Sequence, residues 1–392
     1  MASPPVPPTE QEKSARAFTK QHRWVAEFQF LMLFAALLIY CFLGLHQRAA
    51  ELARSTSNNL YIGVALCWLP LWAVCTISTL PGTCYSFYMQ RKFGLAKATL
   101  TMWLWDYLKA NLLLLVFTGT LLEIAFASHI IFPAYGWICA GFGASVLFLG
   151  ITRSLAWILS FFYPVLPLEN ASLRERLARL AAKAGLRVGN IYEWQISRRT
   201  RHANALVAGV GGSRRILLTD TLIAALSEDE LEAIVAHEFG HCALHHVAKR
   251  LLLQGFVFSG IFFCINFAVL HDLLAFTHES RVWTNLALVP GLFLYWTCGR
   301  IYGNFIVSGL SRKQEREADL YSWKLIGRSE PFIAAMKKLS DLNLIVYDKS
   351  SEWRFFHPAT ADRIAAAEQF AKANGELTSV AQNAVALPSE SK

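Results

Sequence analysis

Apolar residues in this chain fall into long blocks, and the polar stretches between the blocks alternate between short and long. A bilayer span needs roughly 18 or more mostly apolar residues. Six segments qualify: Phe28–Leu45, Leu60–Thr83, Leu112–Phe132, Trp137–Tyr163, Leu252–Leu270 and Leu286–Leu310. The last holds Arg300, with Asn304 on the same side, and a cation inside a span turns toward protein or water rather than lipid. Between Tyr85 and Lys109 the pattern suits amphipathic helix near the membrane surface.

Past the fourth block the texture changes. Leu173, Leu177, Leu180, Ala181 and Ala184 recur at helical spacing and predict a helix over Ser172–Leu186, with Gly185 as its terminator. Short runs rich in Ile, Val, Tyr and Trp predict strands at Ile191–Gln195, Ala203–Val210 and Arg215–Leu218, with Gly211-Gly212-Ser213 as a turn. Ser227 and Glu230 form a capping box, opening a helix expected to run on toward the fifth span. Helix is expected again after Leu310 to about Leu344, and from Thr360 after a polar bend.

These textures divide the chain into a disordered cytoplasmic arm (residues 1–26), a four-helix membrane region (27–163) and a cytoplasmic α+β segment (164–251). Two further spans (252–310), a C-terminal helical part (311–373) and a disordered tail (374–392) follow. The fold class is mainly α: a polytopic membrane protein with about six transmembrane helices and a small α+β domain.

Composition agrees, with 54% hydrophobic residues and a mean hydropathy of +0.35 over 392 residues. The net charge of +9 is distributed as topology rather than as a nucleic-acid footprint. Lys13, Arg16, Lys20 and Arg23 precede the first span, and Arg91, Lys92, Lys97 and Lys109 separate the second and third. The alternate loops carry few cations, so both termini are expected to be cytoplasmic. No cleavable signal peptide is evident: a polar, Pro-rich arm precedes the first block, which lacks a small-residue cleavage site. The eight cysteines lie mostly in or beside spans without CxxC spacing, and Cys242 is expected to pack rather than ligate.

The chemistry centres on His237-Glu238-Phe239-Gly240-His241. Positions i and i+4 share a helix face, so His237 and His241 can bind one zinc ion, with Glu238 beside it as general base. Three fixed positions in five recur by chance, but a chance surface helix would not place Ile234, Val235, Ala236 and Phe239 around them. Two histidines and a glutamate in such surroundings would be costly to bury without a partner. A hydrolytic zinc site takes a third protein ligand. Glu315 and Glu317 are the candidates; Glu315 is preferred because Asp319 lies at i+4, where it can accept a hydrogen bond from a ligand imidazole and orient it. Glu317 faces another way, and His245 and His246 are assigned to packing or surface roles, since a fourth protein ligand would close the site. His357 is the best tail candidate for a donor to the oxyanion.

Four landmarks then occur in an order that resembles the integral-membrane zinc CAAX prenyl proteases of the a-factor-converting type. They are His202-Ala203-Asn204-Ala205 with the Arg215–Leu222 run, the HExxH, Ser311-Arg312-x-x-Glu315-x-x-Ala318-Asp319, and His357-Pro358 followed by Arg363. Arg91-Lys92-Phe93-Gly94 and Asp106-x-x-Lys109 extend the likeness to roughly residues 60 to 370. The resemblance implies a gluzincin-like peptidase domain, a ring of membrane helices around a water-filled chamber, and one Zn2+ held by His237, His241 and Glu315. It implies catalytic roles for Glu238 and His357, with Asp319 behind the metal. Asn204 and Ala205 would pair with the substrate backbone as an edge strand, and Arg363 would help hold substrate.

The implied partners are a peptide or protein substrate, with or without a prenyl group, and the lipid bilayer, but no nucleic acid. Eukaryotic relatives have one more N-terminal span and a longer soluble insertion, which points to a compact bacterial member. That member would sit in the inner membrane with the zinc site cytoplasmic, and its substrate need not carry a prenyl group. The alternatives are a heat-shock-type quality-control metalloprotease, with fewer spans ahead of the zinc helix, and a catalytically idle receptor or chaperone, against which the intact His237, Glu238, His241 and Glu315 argue. A transporter would have no use for HExxH with a downstream ExxxD.

Overall fold

The computed structural model of the chain describes residues 10–132, 134–209, 212, 214–265, 289–346 and 358–374. His357, most of the Gly211–Ser213 turn, the His271–Thr284 loop and the tail beyond Asn374 lie outside the described residues. The chain divides into two compact units. One comprises Lys20–Thr152 and Lys249–Val307; the other comprises Met1–Thr19, Arg153–Ala248 and Ser308–Lys392.

Long apolar helices build the first unit: α1 (Glu10–Phe42), α3 (Leu60–Lys92), α4 (Leu100–Ile131) and α5 (Gly136–Ser160). Each is long and apolar enough to cross a membrane. Their outward residues, among them Leu31, Trp105 and Phe142, are exposed, as lipid-facing side chains must be. The packed seam between them is small: Leu37, Tyr40, Val64, Trp68, Leu71 and Phe126 form one cluster. Gly82 allows α1 to approach α3, since a Cβ there would lie 2.3 Å from Cγ of Gln29. The protein is a multi-pass integral membrane protein.

Three expectations change here. The arm expected to be disordered over residues 1–26 is helical from Glu10 onward. Beyond Pro8 it holds no proline or glycine, Lys13 pairs with Glu10 at 2.6 Å, and Ala15 and Val25 are buried. The polar loop after the first span is a second helix, α2 (Leu45–Thr56), which buries Ala50 and Ala53 after a break at left-handed Gly44. The stretch from Tyr85 to Lys109 is the continuation of α3 and α4, separated by a short turn, rather than an independent surface helix.

In the second unit, β1 (Val165–Pro167), β2 (Asn190–Trp194), β3 (Ala205–Ala208) and β4 (Arg215–Thr219) form a sheet of order β1-β2-β4-β3. β2 and β4 run parallel and both outer pairs are antiparallel, so β3 is an edge strand. β1 is too short for period-2 alternation to announce it. Two helices cover the sheet, α6 (Ala171–Lys183) and α8 (Glu228–Ala243), and their Leu173, Leu177, Val235 and Phe239 share a core with Ile216 and Leu218 of β4. Burying side chains of this size contributes roughly 1.5–3 kcal/mol each, so the core holds α8 firmly against the sheet. Gly185 ends α6 in the left-handed region, where a Cβ is disfavoured.

α8 begins with the expected capping box: Ser227 Oγ accepts from the Glu230 amide and Glu230 accepts from the Ser227 amide at 2.7 Å. It does not run on into the fifth span. It stops at Ala243, His245 turns into the left-handed region at φ 55, and α9 (His246–Ile265) starts afresh. Downstream, α10 (Val289–Ile326) is a single helix that carries the segment with Glu315 and Asp319. After Gly327 come α11 (Glu330–Asn343) and α12 (Thr360–Ala373), packed on each other through Phe332, Met336, Ile364 and Ala367.

Candidate metal centre

α8 places His237 and His241 one turn apart, and α10 brings Glu315 against them. The three side chains converge as a triangle: Nε2 to Nε2 is 3.2 Å, and the Glu315 carboxylate spans the pair, with Oε2 3.5 Å from His237 Nε2 and Oε1 3.4 Å from His241 Nε2. His237, His241 and Glu315 each offer a ligand atom within 4.8 Å of the other two. A tetrahedral zinc with bonds of about 2.0–2.1 Å would set its ligands about 3.3–3.4 Å apart. The triangle has that size, and two imidazoles with one carboxylate suit zinc while leaving a fourth position open. The residues fit the ion.

What brings α10 so close is the residue pair Gly240 and Ala318. A Cβ on Gly240 would lie 2.9 Å from the Cα of Ala318 and 3.1 Å from its carbonyl oxygen. The glycine inside the HExxH is therefore a contact surface for the helix that brings the third ligand.

Behind the triangle, His237 Nδ1 lies 2.8 Å from Asp319 Oδ1. Arg363 of α12 clamps the same carboxylate: Nε donates to Oδ2 at 2.8 Å and Nη2 to Oδ1 at 2.6 Å. Burial would raise the Asp319 pKa, but Arg363 and His237 hold it below the ordinary carboxylate range. Burial likewise opposes the charge on Arg363, and Asp319 outweighs it. His237 follows the same pattern: burial disfavours protonation, yet hydrogen bonds with Asp319 and Glu315 lift its pKa to about 9. The negative potential that draws a proton there is what a divalent cation would meet.

His241 is held differently. Its Nδ1 lies 2.9 Å from Nδ1 of His246, whose Nε2 lies 3.0 Å from Glu317 Oε2. His246, expected to pack or lie at the surface, stands directly behind His241, and Glu317 stands behind His246. Helical periodicity could not have found His246, because the chain leaves α8 before reaching it.

Glu238 is half-buried on α8 between the two histidines, with its charge acting on Arg363 and Cys242. Cys242 packs beside the site, and burial pushes its thiol up to about 11. Asn204 lies at the start of edge strand β3, beside α8, and its carbonyl accepts from the Thr219 amide at 3.0 Å. Antiparallel alternation then turns the backbone groups of Ala205 and Val207 toward the open side of β3. The Ala205 amide is occupied by the Asn204 side chain at 2.9 Å. Asn343, at the end of α11, fixes the approach to this strand: Oδ1 accepts from the Ala203 amide at 2.9 Å and Nδ2 donates to its carbonyl at 3.0 Å. Nothing in the sequence linked Asn343 to this strand, 140 residues upstream.

Comparison with known proteins gives concordant matches over both regions. The family described as Peptidase family M48 matches residues 167–371, and the one described as CAAX prenyl protease N-terminal, five membrane helices, matches residues 6–166. CAAX prenyl protease 1 of Saccharomyces cerevisiae is 28% identical over 327 residues, covering 78% of this chain and 72% of that protein. A probable CAAX prenyl protease 1 of Schizosaccharomyces pombe is 29% identical over 305 residues, covering 73% of this chain and 61% of that one. Among solved structures, S. mikatae Ste24p superposes with a TM-score of 0.74 at 23% identity, covering 93% of this chain and 92% of that one.

Proposed function

This chain belongs to peptidase family M48, as a membrane zinc metalloprotease like CAAX prenyl protease 1, and we propose that it trims the tails of protein substrates laid along edge strand β3. The observation that carries this reading is the ligand triangle, sized for zinc and carried by a helix that packs beside edge strand β3.

Zinc bound by His237, His241 and Glu315 would polarise the scissile carbonyl and ease deprotonation of the attacking water. Glu238 takes the proton from that water and hands it to the leaving amine. Asp319 holds His237 by its outer nitrogen, and Arg363 holds Asp319. Two of the Arg363 nitrogens are engaged in that clamp, so we assign Arg363 to positioning as well as to the substrate contact its motif implies. His357, assigned from its motif with Pro358 and Arg363, would be the donor to the developing oxyanion. Ala205 and Val207 receive the substrate backbone, and Asn204 swings aside to free the Ala205 amide. The basic loops support a topology with the termini and the zinc site on the cytoplasmic side.

The test is an assay of the purified full chain on matched prenylated and unprenylated peptides, with Glu238→Gln as control. Cleavage by wild type and its loss in Glu238→Gln support the mechanism, and survival of activity in the variant refutes it. Equal turnover of the two peptides removes prenyl specificity.

A further inference from the structure

We propose that His246 and Glu317 form a positioning relay for His241, matching on the second histidine what Asp319 does for the first. The proposal rests on the metal-site reading above and concerns residues that reading does not use.

With both imidazoles neutral, Glu317 sets the donor and acceptor roles in this chain. Glu317 is a carboxylate that only accepts, so His246 carries its proton on Nε2 and donates to Oε2 across 3.0 Å. A neutral His246 then offers the lone pair of Nδ1. His241 must therefore donate from Nδ1 across 2.9 Å, which leaves its Nε2 lone pair pointing into the ligand triangle. Asp319 imposes the same tautomer on His237 from the other side. Each histidine is thus fixed in its metal-binding form by a separate partner.

The backbone is shaped to deliver His246. On an uninterrupted helix, residue 246 would sit about 140° around the axis from residue 241 and face away from it. The left-handed turn at His245 ends α8 and restarts the chain, so that the His246 ring folds back onto His241. Its carbonyl is held by Nε2 of Gln314 at 3.4 Å, and the side chain is 1% exposed. Glu317 lies about 200° around α10 from Glu315 and so stands outside the triangle. Its other oxygen is 3.9 Å from Nζ of the exposed Lys313, a contact too long and too wet to compete with His246. An imidazole this buried with both nitrogens engaged is an unusual expense for packing alone.

The experiment measures zinc affinity of the purified full chain by chelator competition, together with the visible spectrum of the cobalt-substituted protein. His246→Ala should weaken zinc by about 10–100-fold and change the cobalt spectrum, the range seen when partners of ligand histidines are removed. Glu317→Ala should do the same to a smaller degree. Glu317→Gln should recover most of the loss, because its amide oxygen still accepts from His246. The double variant should bind no worse than His246→Ala. Wild-type affinity and spectrum in both alanine variants would overturn the relay, as would additive losses in the double. If His246→Ala does not fold, Glu317→Ala carries the test, since that side chain is partly exposed. A wild-type chain that binds no zinc would instead refute the metal site itself.

Discussion

Replacing Gly240 by alanine should loosen the metal site while leaving every ligand in the chain. In an ordinary helix interior the exchange is favourable by about 0.8–1.0 kcal/mol. Here the new Cβ would meet Ala318 Cα at 2.9 Å. Carbon atoms settle at about 3.5–4.0 Å, so α10 must retreat by roughly 0.6–1.1 Å at this point. Overpacking of that kind costs about 1–3 kcal/mol, which leaves a net destabilisation of about 0–2 kcal/mol. The larger effect falls on the ligands. Glu315 lies one turn from Ala318 on the same helix, and metal sites tolerate bond changes of only about 0.2 Å. Zinc affinity, read by chelator competition in detergent, should fall by tenfold or more. Gly309→Ala supplies the control: it lies on the same helix with nothing within 4 Å, so it should raise the melting temperature slightly and leave zinc binding unchanged. A Gly240→Ala protein with wild-type zinc affinity would refute the idea that this contact sets the triangle.

Asp319→Asn should reduce zinc affinity by about 10–100-fold, with calorimetry or chelator competition as the check. Arg363→Met should cost about 3–5 kcal/mol, since it strands a buried carboxylate, and adding Asp319→Asn should recover part of the loss; additive destabilisation would count against the clamp. At the edge strand, Val207→Pro should lower kcat/KM by about tenfold with little change in melting temperature, because its amide faces the open side. Leu206→Pro, whose amide faces β4, should destabilise the fold instead. For Glu230, burial tends to raise the pKa, but Lys338 and Ser227 bring it below the ordinary 4.5. A depressed folded pKa gives stability that is complete above 4.5 and is lost as pH falls through the lower, folded value. Glu230→Gln should therefore flatten the acid limb of thermal stability, and an unchanged limb in melts from neutral to acidic pH would refute this.

Much of the fold was legible because the forces that made it are local. Bilayer length sets the spans, the capping box of Ser227 and Glu230 sets the start of α8, and Gly185 sets the end of α6. The helical arm from Glu10 and α2 were missed for the opposite reason. Both are polar enough to pass as loop, and tertiary contacts at Ala15, Ala50 and Ala53 accompany their helical form. The break at His245 was missed as well, since no glycine or proline announces it.

The sequence alone pointed to the chemistry: two histidines one turn apart with a glutamate between them, and a downstream ExxxD, mark a metal site because ligand type and helical period are properties of neighbours along the chain. Only the tertiary structure decided how those groups are held. Gly240 against Ala318, Arg363 on Asp319, His246 between His241 and Glu317, and Asn343 on Ala203 join segments far apart in the chain. Such pairings obey no period, and each is specified by packing that exists only once α8, α10, α11 and α12 have come together.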